Sequence, residues 1–259
     1  MKVIVCIKQV PNTNEVKLDQ EKGTLIREGV PSIINPDDKA GIEAALKLKD
    51  QFGAHVTVMS MGPPQADVAL RESLAMGADE AILISDRAFG GSDTWATSST
   101  LAAAINKLEY DLIITGRQAI DGDTAQVGPQ IAEHLNIPNI SYAEGVEIEG
   151  GYITVKRQYE DRYHMIRAKL PCLITALSKL GEPRYMTPSG IFDAWSKELP
   201  VWGRSDLTID DSNLGLSGSP TRVKKSFTKA PKGKGTVVTL DPEESSNWLV
   251  ARLSEKFIL

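Results

Sequence analysis

Short apolar runs alternate with helix-length patterns through the first 140 residues, and this alternation restricts the fold more than any other feature of the sequence. Val3–Ile7, His55–Met59, Glu80–Ser85 and Leu112–Thr115 read as strands. Asp38–Asp50, with Ile42, Ala45 and Leu46 on one face, reads as a helix. So do Gln65–Met76, which Gly77 can end, Asp93–Leu108, and Thr124–Leu135, which Asn136 and Pro138 close. Repeated strand–helix alternation requires a parallel sheet with right-handed crossovers. Parallel strands are covered on both faces, which suits the unbroken run Val3-Ile4-Val5-Cys6-Ile7.

Beyond residue 140 the pattern changes. Val146–Ile148, Tyr152–Gln158 and His164–Lys169 read as antiparallel strands, with Gly150-Gly151 as a turn signal, and Pro171–Leu177 re-enters the sheet. From about residue 186 the chain is irregular and rich in Pro, Ser, Gly and Lys, and Glu244–Ile258 reads as an amphipathic helix. The expected architecture is an α/β fold: an open, mostly parallel, Rossmann-like sheet with helices on both faces, an antiparallel strand extension and a C-terminal arm. Residues 1–185 form the nucleotide-binding domain in this reading, and residues 186–259 an arm that wraps a partner, with a disordered tail as the alternative. No internal repeat is evident.

Composition excludes several classes. A net charge of −5, with 24% charged residues, argues against a nucleic-acid binder. No apolar run is long enough to span a bilayer, and the N-terminal run is too short for a signal-peptide core, so a cytoplasmic protein is expected. Cys6 and Cys172 sit in apolar stretches as small hydrophobes, and His55, His134 and His164 have no metal-ligand spacing. No acid/base or nucleophile pair stands out, so no catalytic side chain is assigned and any chemistry falls to a cofactor.

In an open α/β sheet, ligands bind beyond the carboxyl ends of the strands, where strand order reverses. Three segments follow strands in this way: Lys8–Asn12 leading to Asn35-Pro36-Asp37-Asp38, then Gly90-Gly91-Ser92-Asp93-Thr94, then Gly116-Arg117-Gln118-Ala119-Ile120-Asp121-Gly122-Asp123-Thr124. The last two combine glycines with hydroxyl residues at a helix start, where free N–H groups and the helix dipole favour a phosphate. Thr94 and Thr97 are spaced to face one side of a first turn, and Arg117 can add charge-assisted bonds. A plainer reading makes Asp93, Thr94, Asp123 and Thr124 N-caps only. Gly90–Thr94 also resembles the pyrophosphate loop of adenylating enzymes, but it follows the third strand instead of the first, and Phe89 precedes it.

At these loops the sequence resembles the beta subunits of the electron-transfer flavoproteins. The marks are Val5–Pro11, Asn35-Pro36, Ala75-Met76-Gly77-Ala78-Asp79, Gly116–Asp121 and Glu182-Pro183-Arg184-Tyr185, with Val155, Arg157, Glu160, Asp161 and Pro171 in the signature region; Arg162 and His164 depart from it. The resemblance implies a heterodimer with an alpha subunit that carries a flavin. It also implies a nucleotide site, AMP in the simpler members, at Cys6, Asn35, Pro36, Asp37, Asp38, Met61 and Gly116 through Ala125, Gln126 and Val127. Cys6 and Met61 would supply apolar walls.

A finer resemblance sits at Asp93-Thr94-Trp95-Ala96-Thr97-Ser98, which is similar to the Asp-Thr-x-Ala-Thr-Ser motif of the electron-bifurcating branch. It implies FAD in place of AMP, NADH as hydride donor, and ferredoxin or flavodoxin as low-potential acceptor. A flavin-dependent dehydrogenase, of acyl-CoA or lactate type, would receive the other electron through the alpha-subunit FAD. With this implied FAD, Asp93, Thr94 and Thr97 join the site. In the family a recognition loop after Glu-Pro-Arg-Tyr docks the dehydrogenase through a Leu. Pro188 stands there in this sequence, and Ile191, Phe192 and Trp195 follow at near-helical spacing as replacement anchors, or as residues packed under the tail. Two alternatives remain at this point: the same subunit holding AMP without bifurcation, and a nucleotide-binding stress or signalling module of related topology.

Overall fold

Val3, Ile4, Val5 and Cys6 point alternately to opposite faces of one strand, and both faces are buried. The reason is that this strand has a parallel neighbour on each side. In the computed structural model, which describes residues 1–12, 31–224, 233 and 235–259, the elements follow as β1 (Lys2–Cys6), β2 (Gln9–Pro11), β3 (Ser32–Ile34), α1 (Pro36–Phe52), β4 (His55–Met61), α2 (Asp67–Met76), β5 (Glu80–Ile84), α3 (Thr94–Ile105), β6 (Leu112–Gly116), α4 (Val127–His134), β7 (Asn139–Glu149), β8 (Tyr152–Gln158), β9 (Tyr163–Lys169), β10 (Cys172–Ala176), α5 (Pro188–Ser196), β11 (Val201–Trp202) and α6 (Pro242–Glu255). They fall into two units, residues 1–224 and residues 225–259.

The first unit is built on a nine-stranded sheet of order β11-β5-β4-β1-β6-β10-β7-β8-β9, and a separate antiparallel pair joins β2 to β3. Pairing is parallel from β11 to β7 and antiparallel across β7-β8-β9. Val3, Val5, Ile42, Leu46 and Leu70 share one core with α1 and α2, and Ile4, Ile82, Leu101, Ile105 and Ile131 share the other with α3 and α4. Helices therefore cover both faces, and each fully buried Ile or Leu stabilises the fold by about 1.5–3 kcal/mol. This is the expected α/β architecture.

Several local expectations change. The segment after β1 is not all loop, because Gln9–Pro11 pairs with Ser32–Ile34. The helix expected from Thr124 begins at Val127. The stretch after residue 186 is less irregular than its composition suggests: α5 forms over Pro188–Ser196, and β11 adds a parallel edge to β5. Residues 186–224 cluster with the first unit. In the second unit, α6 starts at Asp241, whose side chain accepts from the Glu244 N–H, and buries no residue. Among the described residues no helix is long and apolar enough to cross a membrane.

Candidate functional site

The strand order reverses between β1 and β6. From β1 the chain moves by α1 to β4 and by α2 to β5, then returns across α3 to β6 on the opposite side of β1. The register brings Cys6, Met59 and Thr115 level, so the carboxyl ends of β4, β1 and β6 open onto one edge.

The N-terminus of α1 closes that edge. Pro36 occupies its first turn, and Asp37 and Asp38 complement the helix dipole. Asn35 stands at the N-cap without capping the helix. Its side chain is spent on the loop after β6: Nδ2 donates to the Gln118 carbonyl at 2.9 Å, and Oδ1 accepts from the Ile120 N–H at 3.1 Å. Asp38 bridges the reversal itself. Its Oδ2 accepts from the Lys8 N–H at 2.8 Å and its Oδ1 from the Gly116 N–H at 2.9 Å. Burial pushes its carboxyl up to about 7, against the pull of those bonds. A Cβ at Gly116 would overlap Asp38 Oδ1, so only glycine allows this approach. Burial likewise pushes the Cys6 thiol up to about 12, which keeps it neutral. Met61 is half-buried at the end of β4.

Asp37 accepts from the Ser178 hydroxyl at 2.5 Å and faces Arg117 Nε at 3.5 Å. Lys8 Nζ lies 2.7 and 2.9 Å from the two oxygens of Asp121, which tethers the loop from the other side. Lys8 lies in a segment that the sequence marks as following a strand but is not among the assigned site residues, and Ser178 carries no sequence signal.

Past Asp121 the loop turns sharply. The N–H groups of Gly122 and Asp123 both donate to the Ala119 carbonyl, at 3.2 and 2.9 Å, and the Gln118 side-chain amide donates to Asp123 Oδ1 at 2.8 Å. Asp123 and Ala125 take positive φ, 49° and 53°, while Gln126, with φ −108° and ψ −33°, is right-handed. A left-handed residue followed by a right-handed one turns successive N–H groups into a concavity that favours an anion. No hydrogen bond within the described residues uses the N–H groups of Thr124, Ala125 or Gln126. Thr124 is thus not at a helix start. The loop offers the concavity instead, immediately before the N-terminus of α4.

The second expected phosphate segment opens α3. Asp93 caps it, with Oδ1 accepting from the Ala96 N–H at 3.1 Å. Thr94 and Thr97 are both half-buried in the first turn. The strands that precede the two segments, β5 and β6, are not neighbours, since β4 and β1 separate them. The segments meet even so, because α3 packs against α4: the Thr94 hydroxyl donates to Gln126 Oε1 at 2.8 Å. Two helix N-termini and a concave turn converge there, and this donor set fits a phosphate-bearing nucleotide.

Pro188, Ile191, Phe192 and Trp195 are not brought to this edge. They lie on α5, which packs against α2, and Ile191, Phe192 and Trp195 are 39%, 79% and 61% exposed. Among the described residues no cluster of His, Cys, Asp and Glu can hold a metal ion.

Comparison with known proteins agrees with this architecture. A family model described as an electron transfer flavoprotein domain matches residues 22–206. The chain is 58% identical over 256 residues to the electron transfer flavoprotein subunit beta of Clostridium acetobutylicum, covering 99% of each chain. It is 53% identical over 262 residues to the caffeyl-CoA reductase-Etf complex subunit CarD of Acetobacterium woodii, and 49% identical over 267 residues to the acryloyl-CoA reductase electron transfer subunit gamma of Anaerotignum propionicum, covering all of each chain. A stress or signalling module is thereby set aside. With a family model over most of its length and a relative 58% identical from end to end, the chain belongs to the electron transfer flavoprotein family, as one of its beta subunits.

Proposed function

We propose that this beta subunit works in the cytoplasm in an electron-bifurcating heterodimer and holds FAD, rather than AMP, at the reversal of strand order. The carrying observation is the junction of Thr94 with Gln126. FAD has one phosphate more than AMP, so its site needs donors from a second segment beside the first. The concave turn at residues 123–126 would take one phosphate through backbone N–H groups. The first turn of α3 would take the other through the helix dipole and the hydroxyls of Thr94 and Thr97, since the Ala96 and Thr97 N–H groups are bonded to Asp93. Asn35, Asp38 and Lys8 hold the loop in shape, and Cys6 and Met61 contribute apolar surface. Asp93-Thr94-Trp95-Ala96-Thr97-Ser98, the resemblance to the bifurcating branch, lies on that same first turn.

The chemistry such an FAD supplies when bound is acceptance of a hydride from NADH and division of the electron pair between ferredoxin or flavodoxin and, through the alpha-subunit FAD, a dehydrogenase. Two relatives are named for reductases of CoA thioesters, which favours an acyl-CoA-type dehydrogenase over a lactate-type one. The apolar side chains of α5 are its proposed docking face.

Ligand extraction from the purified heterodimer tests the assignment. Two FAD per heterodimer are expected; one FAD and one AMP would reject it. Thr94→Val with Thr97→Val keeps the shape and removes both hydroxyls. It should cut beta-site FAD and NADH-dependent ferredoxin reduction by about tenfold or more while sparing the alpha-subunit flavin.

A further inference from the structure

Asp93 does more than cap α3. After β11 the chain returns over the carboxyl end of β5 as a strap. The Leu216 N–H donates to the Gly90 carbonyl at 3.0 Å. Ser219, only 6% exposed, accepts from the Asp93 N–H at 2.8 Å and donates to the Gly215 carbonyl at 2.7 Å. The Thr221 N–H and hydroxyl both donate to Asp93 Oδ2, at 2.9 and 2.7 Å. Residues separated by 128 positions are thus joined at the start of the helix that carries Thr94 and Thr97.

A carboxylate beside a phosphate is repulsive unless its charge is turned away and bonded. Here Oδ1 faces the helix and Oδ2 faces the strap, so the carboxylate is committed on both sides. Burial raises its pKa, but the Thr221 hydroxyl and the N–H groups of Ala96, Thr221 and Trp95 outweigh that and hold the carboxyl below its usual range. We infer that Ser219 and Thr221 are positioning residues for the phosphate-binding turn: by holding Asp93 they fix its charge between the Ala96 N–H and the strap and leave the Thr94–Thr97 hydroxyl face to the second phosphate. This inference rests on the proposed FAD site. It adds residues from a segment that carries no sequence signal for nucleotide binding.

The test uses the whole heterodimer, stripped of nucleotide and titrated separately with FAD and with AMP. AMP has no second phosphate and serves as the internal control. Ser219→Ala combined with Thr221→Val should weaken FAD binding at the beta site by about tenfold and change AMP binding by less than about twofold. Thr221→Ser retains the hydroxyl and should restore FAD affinity to near the wild-type value. Equal weakening of FAD and AMP would mean a general loss of structure and overturn the inference. Unchanged FAD affinity in the double variant would overturn it too, with the FAD site itself intact. A wild-type heterodimer that takes no second FAD would overturn the proposed function and this inference with it.

Discussion

Asp38 shows how one side chain can serve two strands. Its two oxygens bond N–H groups at the ends of β1 and β6, and Asn35, three residues earlier, bonds the loop that follows. A buried carboxylate is costly, and this one is retained where it fixes the geometry of the site. Gly122 has the opposite character. It is exposed, and a Cβ placed on it meets nothing within 4 Å. The protein itself therefore tolerates a larger side chain there, and only a ligand lying on the loop would not. Gly122→Val should lower nucleotide content by about tenfold while leaving the melting temperature of the heterodimer almost unchanged. Nucleotide release assayed after denaturation, beside a melting curve, checks both; full occupancy would take the segment out of the site. The residue types at the reversal were legible in the sequence because they follow strands directly. Their bonding was not: nothing in the local sequence reveals that the Asn35 side chain reaches residues more than 80 positions away.

Among the elements, α5 is the one composition concealed. Its Pro, Ser and Gly content reads as loop, yet Thr187 caps it, Pro188 starts it and Arg71 on α2 fastens its end, donating to the Ala194 carbonyl at 2.6 Å. Packing supplies what helix propensity does not. The same guanidinium lies 4.9 Å from the Trp195 ring centre, which holds an exposed indole in place. An exposed aromatic held in one orientation has already lost part of the entropy that binding costs. Trp195→Ala should weaken association with the dehydrogenase by about 1–3 kcal/mol, with flavin content intact. Surface plasmon resonance with immobilised heterodimer measures it, and unchanged affinity would reject the docking role. The start of α4 also departs from what its residue types suggest. Thr124 is a good N-cap type, but the positive φ at Asp123 and Ala125 delays the helix to Val127.

For the whole molecule, the division at residue 224 matters most. The buried hydrophobic core of the described residues ends at Leu214, and α6 buries nothing of its own. A helix without a buried face gains little from propensity alone, which suits an arm that takes its stability from the alpha subunit. A chain ending at Lys224 should keep a cooperative thermal transition within a few degrees of the full chain, roughly the shift of less than 1 kcal/mol, and lose stable association with the alpha subunit. Calorimetry and size-exclusion chromatography of the two forms decide this. A truncated chain that still forms the heterodimer would remove the arm from the interface.

The sequence by itself determined the layered α/β class, the identity of most strands and helices, and the loops at their carboxyl ends, because hydrophobic period and turn chemistry are local properties. It also offered Pro171–Leu177 as a segment that could re-enter the sheet, and Cys172–Ala176 does so as β10. Tertiary structure alone decided where. β10 enters between β6 and β7, and β7 pairs first with β10 and then with β8, so the strand order departs from chain order. Tertiary structure likewise joined Thr94 to Gln126 and Ser219 and Thr221 to Asp93. These pairings are hydrogen bonds between residues 32 and more than 120 positions apart. Their partners are selected by the packing of α3 on α4 and by the return of the chain over β5, and no local period or propensity records either.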